Sequence, residues 1–399
     1  MELQHSNIKK KSLYIVLLIT GIILVAFNLR PAITSVGPLV GIIQEDVGLA
    51  HWSTGLLMSI PLISFAVMSS LVPKIANRLT NEKTLLLGLI VLLMGICIRS
   101  ISITLFLFTG TLLVGVGIAI GNVLLPVVVK DKFPHNFGLM TSVYSTSMGL
   151  FASLASGVSV PLASDLNLGW QGALIVWGIP AVTAILVWTV LIKLNPDKDK
   201  AIKRVSTSAS RIWRSPLAWK IALFMGFQSS LFYVTMSWLP EILHNYGISR
   251  GTAGWLLSFT QLVGLPASFL IPIIAGRVRS QVWIAFTLGM CSIVGYGGLL
   301  LGASYPIMII SIILIGIALG GNFPLALSYL GIRTRNASQS AELSGMAQST
   351  GYLLAAVGPI FIGYLYDMAQ MWTIPIITLI IISGLVMALG MFSGRDQYV

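Results

Sequence analysis

The sequence is poor in charge, acidic groups, histidine and cysteine. Of its 399 residues only 9% are charged, and it holds 12 Asp and Glu, 4 His and 2 Cys. The two cysteines, Cys97 and Cys291, lie inside apolar runs without metal-ligand spacing and are expected to pack as small apolar side chains. No Ser/His/Asp set, carboxylate pair or metal-ligand cluster falls at one depth, and no Walker-type phosphate loop is present. We therefore expect no enzymatic activity, no cofactor and no metal.

Apolar residues make up most of the chain. They account for 56% of the sequence, and the mean hydropathy is +0.92, which a water-soluble surface could not carry. Apolar runs of about 20 residues are long enough to cross a bilayer as helices. The pattern predicts an all-α membrane protein with twelve transmembrane helices. Their expected ranges are 12–44, 50–77, 83–101, 104–131, 137–163, 169–193, 216–246, 251–277, 281–301, 304–332, 340–367 and 371–393.

Basic residues concentrate in alternate loops. With both termini in the cytoplasm, all but three of the 24 Lys and Arg fall on the cytoplasmic side; the exceptions are Arg30, within the membrane, and Arg99 and Arg250, on the outside. This is the positive-inside distribution of a multi-pass protein of the cell membrane. The net charge of +12 is then explained by topology and lipid contact, and no nucleic-acid partner is expected.

The two halves of the chain repeat each other. Several residues of the second predicted helix recur 199 positions later: Gly55 and Gly254, Ser59 and Ser258, Pro73 and Pro272, Ala76 and Ala275, Arg78 and Arg277. We expect two pseudo-symmetric six-helix bundles, 1–193 and 216–399, joined by a basic cytoplasmic linker, 194–215. Parallel repeats of this kind are typical of transporters that bind their solute near the membrane midplane.

With twelve predicted helices, a basic central loop and an internal repeat, the chain resembles the major facilitator superfamily. The loop from Pro73 to Lys83 is similar to the family motif between helices 2 and 3, although Pro73 and Asn77 replace its first Gly and its Asp. The segments Asn28–Leu29–Arg30–Pro31, Thr34–Pro38 and Gly95–Arg99 resemble the cyanate/2-nitroimidazole porter branch. The resemblance implies transport of a small polar or anionic solute by a monomer.

Arg30 is the most informative single residue. It lies near the middle of the first predicted helix, beside Pro31, where a charge costs roughly 2.5–3.5 kcal/mol on insertion scales. Acidic residues fall instead near helix ends: Glu45, Asp46, Asp165, Glu241 and Asp367. Arg30 is therefore expected to bind an anion or another electron-rich group through its planar guanidinium. The alternative is that carbonyls freed at Pro31 and nearby hydroxyls hold Arg30 without solute contact.

Further polar residues fall at mid-depth in both halves. With Arg30, the expected solute-binding set is Asn28, Thr34, Asn122, Tyr144, Gln228, Ser229, Tyr233, Gln261, Asn322, Gln348 and Tyr352. The repeat offset places Ser229 opposite Arg30. We expect about half of this set to face a cavity and the rest to form interhelical hydrogen bonds. Glu241 and Arg78 are candidates for gating or coupling.

Two transporter functions are consistent with these features. The first is secondary active transport of a small polar, anionic or planar solute by alternating access, with a co-transported or exchanged ion as a further partner. The second is a broad-specificity exporter with an aromatic and thioether pocket made of Tyr144, Met148, Tyr233 and Trp238.

Overall fold

A computed structural model describes residues 2–133, 137–194, 212–302, 304–335 and 337–399. Twelve of its helical spans are long and apolar enough to cross a membrane, as the sequence predicts. Residues 195–211, most of the predicted linker 194–215, lie outside the described ranges.

Six spans precede this segment and six follow it. The first six are built from α1 (Glu2–Ala26), α2 (Pro31–Thr34), α3 (Val36–Val47), α4 (His51–Leu79), α5 (Asn81–Arg99), α6 (Thr104–Lys132), α7 (Phe137–Val160), α8 (Gly169–Ile175) and α9 (Gly178–Leu194). The last six are α10 (Pro216–Asn245), α11 (Arg250–Arg277), α12 (Val282–Leu300), α13 (Tyr305–Ile332), α14 (Ala337–Ala369) and α15 (Thr373–Ser393). We call these groups the N half and the C half.

The first span is interrupted at its centre. A single helix over 12–44 was expected, and this prediction is wrong: α1 ends at Ala26, and the chain resumes helical structure only at Pro31. Pro31 has no N–H to donate into a continuous helix, so the chain can break there without losing a hydrogen bond. The N–H groups of Asn28 and Leu29 bond instead to carbonyls three residues earlier, at 2.9 and 3.2 Å. Arg30 therefore sits at a break, as the residue before α2.

The fifth and sixth spans are also less regular than predicted. The expected helix 137–163 passes into a π-helical turn at Pro161–Asp165, where a second proline lacks the N–H group. The expected helix 169–193 is divided between α8 and α9.

The two halves meet along several helices. α3 packs on α10 and α11, α4 packs on α14, and α7 packs on α11. Because the number of spans is even, both chain ends lie at one end of the bundle, which we call the terminal side; the opposite end is the far side. This interface positions the central cavity.

Candidate functional site

A cavity of about 520 Å³ lies between the halves. Its wall comes from the region of Arg30 and from α7, α10, α11, α13 and α14. It begins at mid-depth, near Arg30 and Gln228, and continues along the terminal-side parts of α11 and α13, past Pro272 and Ser328. A volume of this size suits a small organic solute.

Arg30 lines this cavity between two aromatic rings. Its guanidinium carbon lies 4.6 Å from the centre of the Phe232 ring and 5.7 Å from that of Phe323. Among the residues that the structure describes, no carboxylate forms an ion pair with Arg30. Cation–π contacts stabilise a guanidinium without neutralising its charge. The arrangement can therefore accept an anion or a planar electron-rich group.

Six of the twelve predicted site residues line the cavity together: Arg30, Gln228, Ser229, Tyr233, Gln261 and Tyr352. The Gln228 amide donates a hydrogen bond to the Ser229 hydroxyl at 2.7 Å. The Gln261 amide donates to the hydroxyl of Ser156 on α7, also at 2.7 Å, so it connects the two halves. The wall thus contains hydroxyl and amide groups close to one cation.

Asn28 and Thr34 do not line the cavity; they stabilise the break in the first span. The Asn28 amide donates to the carbonyls of Leu24, at 2.7 Å, and Pro180, at 3.0 Å. The Thr34 hydroxyl donates to the carbonyl of Ala152 at 3.0 Å. Both side chains are buried, so they hold the backbone around Arg30 in position.

The other four predicted site residues also lie off the lining. Gln348 donates to Ser344 on its own helix at 2.8 Å. Tyr144 and Asn122 are half-buried on α7 and α6. The Asn322 side chain is buried next to Phe323, and its amide atoms have no hydrogen-bond partner in the described part of the chain.

Asn28→Ala is expected to lower stability without weakening solute binding. The substitution leaves the Leu24 carbonyl without its side-chain donor, which costs about 1–3 kcal/mol for a buried group. The melting temperature of the purified protein should fall, while KM changes by less than about twofold. Thr183→Ala, which removes another donor to the Pro180 carbonyl from an exposed position, is the matched control. An unchanged melting temperature with a raised KM would instead make Asn28 a solute contact.

The two predicted gating residues have different surroundings. Glu241, on α10, is half-buried, and a methyl group at Gly41 of α3 would approach its carboxyl carbon to 3.1 Å. It therefore lies at the interface of the halves on the far side. Arg78 is exposed in the last turn of α4, on the terminal side.

The burial of Arg99 was not recognised from sequence. Arg99 was placed on the outside as a helix end, yet its side chain is only 1% exposed. Its Nη1 donates to the carbonyl of Ala32 in α2 at 2.5 Å, and its Nε and Nη2 have no partner among the described residues. Arg99 thus supports the same broken segment that carries Arg30.

Phe232 and Phe323 were also missed as site residues. Phe232 lies three residues after Ser229, which is one helical turn, so it shares the Ser229 face of α10. That spacing is a signal that could have identified it. Phe323 follows Asn322 and offers no such signal, because an apolar side chain in an apolar helix is inconspicuous.

Comparison with known proteins identifies the family to which the chain belongs. The sequence profile of the Major Facilitator Superfamily matches residues 16–330 and again 221–397, which together span nearly the whole chain. The chain belongs to the major facilitator superfamily.

Relatives within the major facilitator superfamily cover most of the chain. An uncharacterized transporter of Bacillus subtilis, YycB, is 50% identical over 96% of this chain and 94% of its own. The 2-nitroimidazole transporter of Escherichia coli is 38% identical over 96% of both chains. The cyanate transport protein CynX of Escherichia coli is 23% identical over 86% of this chain and 88% of its own. The resemblance to the cyanate/2-nitroimidazole porters is confirmed.

Solved structures of major facilitator proteins share the fold. A bacterial homologue of the human lysosomal transporter Spinster, in an inward-facing and occupied conformation, aligns with a TM-score of 0.79 at 14% identity. The alignment covers 97% of this chain and 99% of that one. The expected fold of two six-helix bundles is therefore confirmed.

Proposed function

We propose that this protein is a secondary active transporter of a small planar solute, anionic or strongly polar, which Arg30 binds in the central cavity. The observation that carries the proposal is the geometry of Arg30. Its guanidinium lines the cavity between two phenylalanine rings, and no carboxylate of the described residues pairs with it. A solute carboxylate or nitro group would supply the missing acceptor.

The aromatic wall supports planarity of the solute. Phe232, Phe323 and Tyr352 all line the cavity, with Tyr233 beside them. Flat rings pack well on other flat groups, in stacked or edge-to-face arrangements. Gln228, Ser229 and Gln261 add donors and acceptors that can fix the orientation of a flat solute. Two relatives are named for the transport of 2-nitroimidazole, a flat ring, and cyanate, a small linear anion, which is consistent with a small flat solute.

Alternating access fits the shape of the interface. The cavity extends to the terminal side, whereas on the far side α3 packs against α10 and α11. We place the terminal side in the cytoplasm, because the basic loops lie there, and the protein in the cell membrane. The structure then corresponds to the state that is closed to the outside, and rocking of the halves would open the far side.

A broad-specificity exporter is the second candidate, because Met148, Leu265 and Phe269 give the cavity much apolar wall. Two residues of its expected pocket, Met148 and Tyr233, line the cavity. Trp238 does not: it is fully buried and donates to the carbonyl of Pro359 at 3.0 Å. Tyr144 is also off the lining.

A solute screen separates the two candidates. Purified protein is heated with cyanate, nitrate, benzoate, benzamide, 2-nitroimidazole and bulky cationic dyes, and the hits are tested by counterflow in proteoliposomes. We expect the planar anions and 2-nitroimidazole to raise the melting temperature and to exchange, because ligands that bind the folded state stabilise it. Stabilisation and exchange by the bulky dyes, with no response to planar solutes, would favour the exporter and contradict the proposal.

A further inference from the structure

Two ion pairs join the halves on the far side. Arg250, the first residue of α11, donates both Nη groups to the Glu45 carboxylate of α3; the Nη1–Oε2 distance is 3.2 Å. His51, the first residue of α4, lies with its Nδ1 2.7 Å from an oxygen of Asp367 on α14. Each pair has one partner in the N half and one in the C half. Both must separate when the far side opens.

The contacts of Asp367 determine the position of one proton on His51. One Asp367 oxygen accepts from Nδ1 of His51, and the other accepts from the backbone N–H of Trp52 at 3.0 Å. An ionised carboxylate only accepts hydrogen bonds, so Nδ1 carries a proton in this state. The charge of the ring then depends on whether the second ring nitrogen, Nε2, also carries a proton.

Gln44 packs against the His51 ring. Its amide nitrogen lies 3.4 Å from Nε2 and 3.2 Å from Nδ1 of His51. A hydrogen-bond partner in line with Nε2 would lie much farther from Nδ1 than from Nε2, so the amide lies against the ring and not in line with either nitrogen. Gln44 therefore places a polar group beside the ring without fixing its protonation.

Among the residues that the structure describes, three helices bring side chains against the His51 ring. α14 faces it with Asp367 and with Tyr366, whose ring centre is 4.5 Å away. α3 faces it with Gln44, and α10 faces it with Trp238, whose ring centre is 5.9 Å away. About a quarter of each side chain of the His51–Asp367 pair is exposed, so solvent protons can reach them.

From this geometry we infer that His51 and Asp367 form a proton-binding site that exists only while the far side is closed. This inference deepens the proposed function, because it identifies a proton as the ion whose binding is linked to the movement of the halves. A proton from the far-side solution binds to Nε2 and leaves the ring as an imidazolium. Its added charge is attracted to Asp367 only while the halves are in contact, so protonation favours the closed state.

The Arg250–Glu45 ion pair is not expected to titrate in the pH range where histidine changes charge. The hydrogen bond from Arg250 lowers the pKa of the Glu45 carboxyl below its usual range. A lowered carboxyl pKa means that the pair is kept at neutral pH and is lost only as pH falls through that lowered value. Histidine is the side chain that changes charge between about pH 5 and 8. Two far-side histidines, His51 and His244, can change charge within this window, and the charge of His244 also acts on Glu45. Variants of each histidine are therefore needed to assign the response.

The test measures far-side closure directly and needs no solute. Spin labels are placed on Ile103→Cys and Leu301→Cys, two exposed far-side positions in opposite halves, after Cys97 and Cys291 are changed to serine. Distance distributions are recorded in lipid nanodiscs from pH 8 to pH 5.5. We expect the ratio of closed to open protein to rise about fivefold as pH falls, as for a partly exposed ion pair that forms only in the closed state.

Three variants decide the assignment. His51→Gln and Asp367→Asn should each flatten the pH response, and either variant alone gives the result if the other does not fold. His244→Gln, which changes the far-side histidine that bonds to the Ile248 carbonyl and whose charge acts on Glu45, should keep most of it. The inference is overturned if wild-type protein shows no pH response, if His51→Gln and Asp367→Asn keep the response, or if His244→Gln abolishes it. Because no solute is used, failure of the proposed function would leave this result unaffected.

Discussion

Replacing Arg30 with alanine is expected to reduce transport of the solute, measured as kcat/KM, by roughly 30-fold or more. Truncating one partner of a buried, hydrogen-bonded charge pair costs about 2–5 kcal/mol, and each 1.4 kcal/mol is a factor of ten. Arg30 lines the cavity without a carboxylate partner among the described residues, so the solute would lose its main electrostatic contact. Counterflow in proteoliposomes, normalised to the amount of folded protein, measures the effect.

Two companion variants make the Arg30 result specific. Arg30→Lys should recover only part of the rate, because an ammonium group keeps the charge but lacks the planar fork and packs less well between Phe232 and Phe323. Arg279→Ala, at an exposed position, should transport normally. Normal transport by Arg30→Ala would mean that Arg30 only organises the break in the first span.

Gly37→Ala is expected to reduce transport at least about tenfold by preventing closure of the far side. Gly37 lies on α3, and a methyl group there would overlap the carbonyl oxygen of Met236 on α10 in the other half and lie 3.0 Å from its carbonyl carbon. Backbone atoms cannot move aside as a flexible side chain can, and overpacking costs typically about 1–3 kcal/mol. The penalty applies only while the halves touch, so the open state should become more populated.

The same spin-label pair, at residues 103 and 301, tests Gly37→Ala independently of transport. The variant should show the longer, open distance at every pH. Gly297→Ala, on α12, is the matched control, since a methyl group there would meet no atom within 4 Å. Wild-type distances with wild-type transport in Gly37→Ala would show that the contact with Met236 adapts at little cost.

The sequence predicted the fold well because each span is a local property. A run of apolar residues between basic loops indicates a membrane helix whatever surrounds it, and the twelve spans were found on that basis. The break at Arg30 was harder to predict. Pro31 signalled lost hydrogen bonding, but the interruption also depends on Asn28, which reaches the Pro180 carbonyl more than 100 residues away in the chain.

The site could be predicted only in part, because contacts between residues far apart in the chain decide which side chains face the cavity. Depth along a helix can be counted from sequence, so Gln228, Ser229 and Gln261 were expected at mid-span, and all three line the cavity. Rotation about the helix axis depends on neighbouring helices, and Gln348, also at mid-span, bonds to its own helix instead. Arg99 was read from its position at a helix end, whereas tertiary packing buries it against α2.

Glycine illustrates the limit of reading close contacts from spacing. Closely spaced glycines occur on α6 and α13, and they pack within their own halves. A methyl group at Gly117 would approach the Gly88 carbonyl oxygen to 2.7 Å, and one at Gly320 would meet the backbone of Gly264. Gly37, which contacts the opposite half, belongs to no such cluster. Which glycine lies at the moving interface is decided by the three-dimensional arrangement alone.

Binding of a planar carboxylate and its neutral amide, measured by calorimetric titration, is the most direct test of the role of Arg30. Benzoate and benzamide have nearly the same shape and differ in charge. Wild-type protein should bind benzoate at least about tenfold more tightly, as expected for a charge-assisted contact of about 1.4 kcal/mol or more, and Arg30→Gln should bind the two equally. If the wild type and Arg30→Gln prefer benzoate over benzamide by the same factor, the assignment of Arg30 as the group that binds the solute is contradicted.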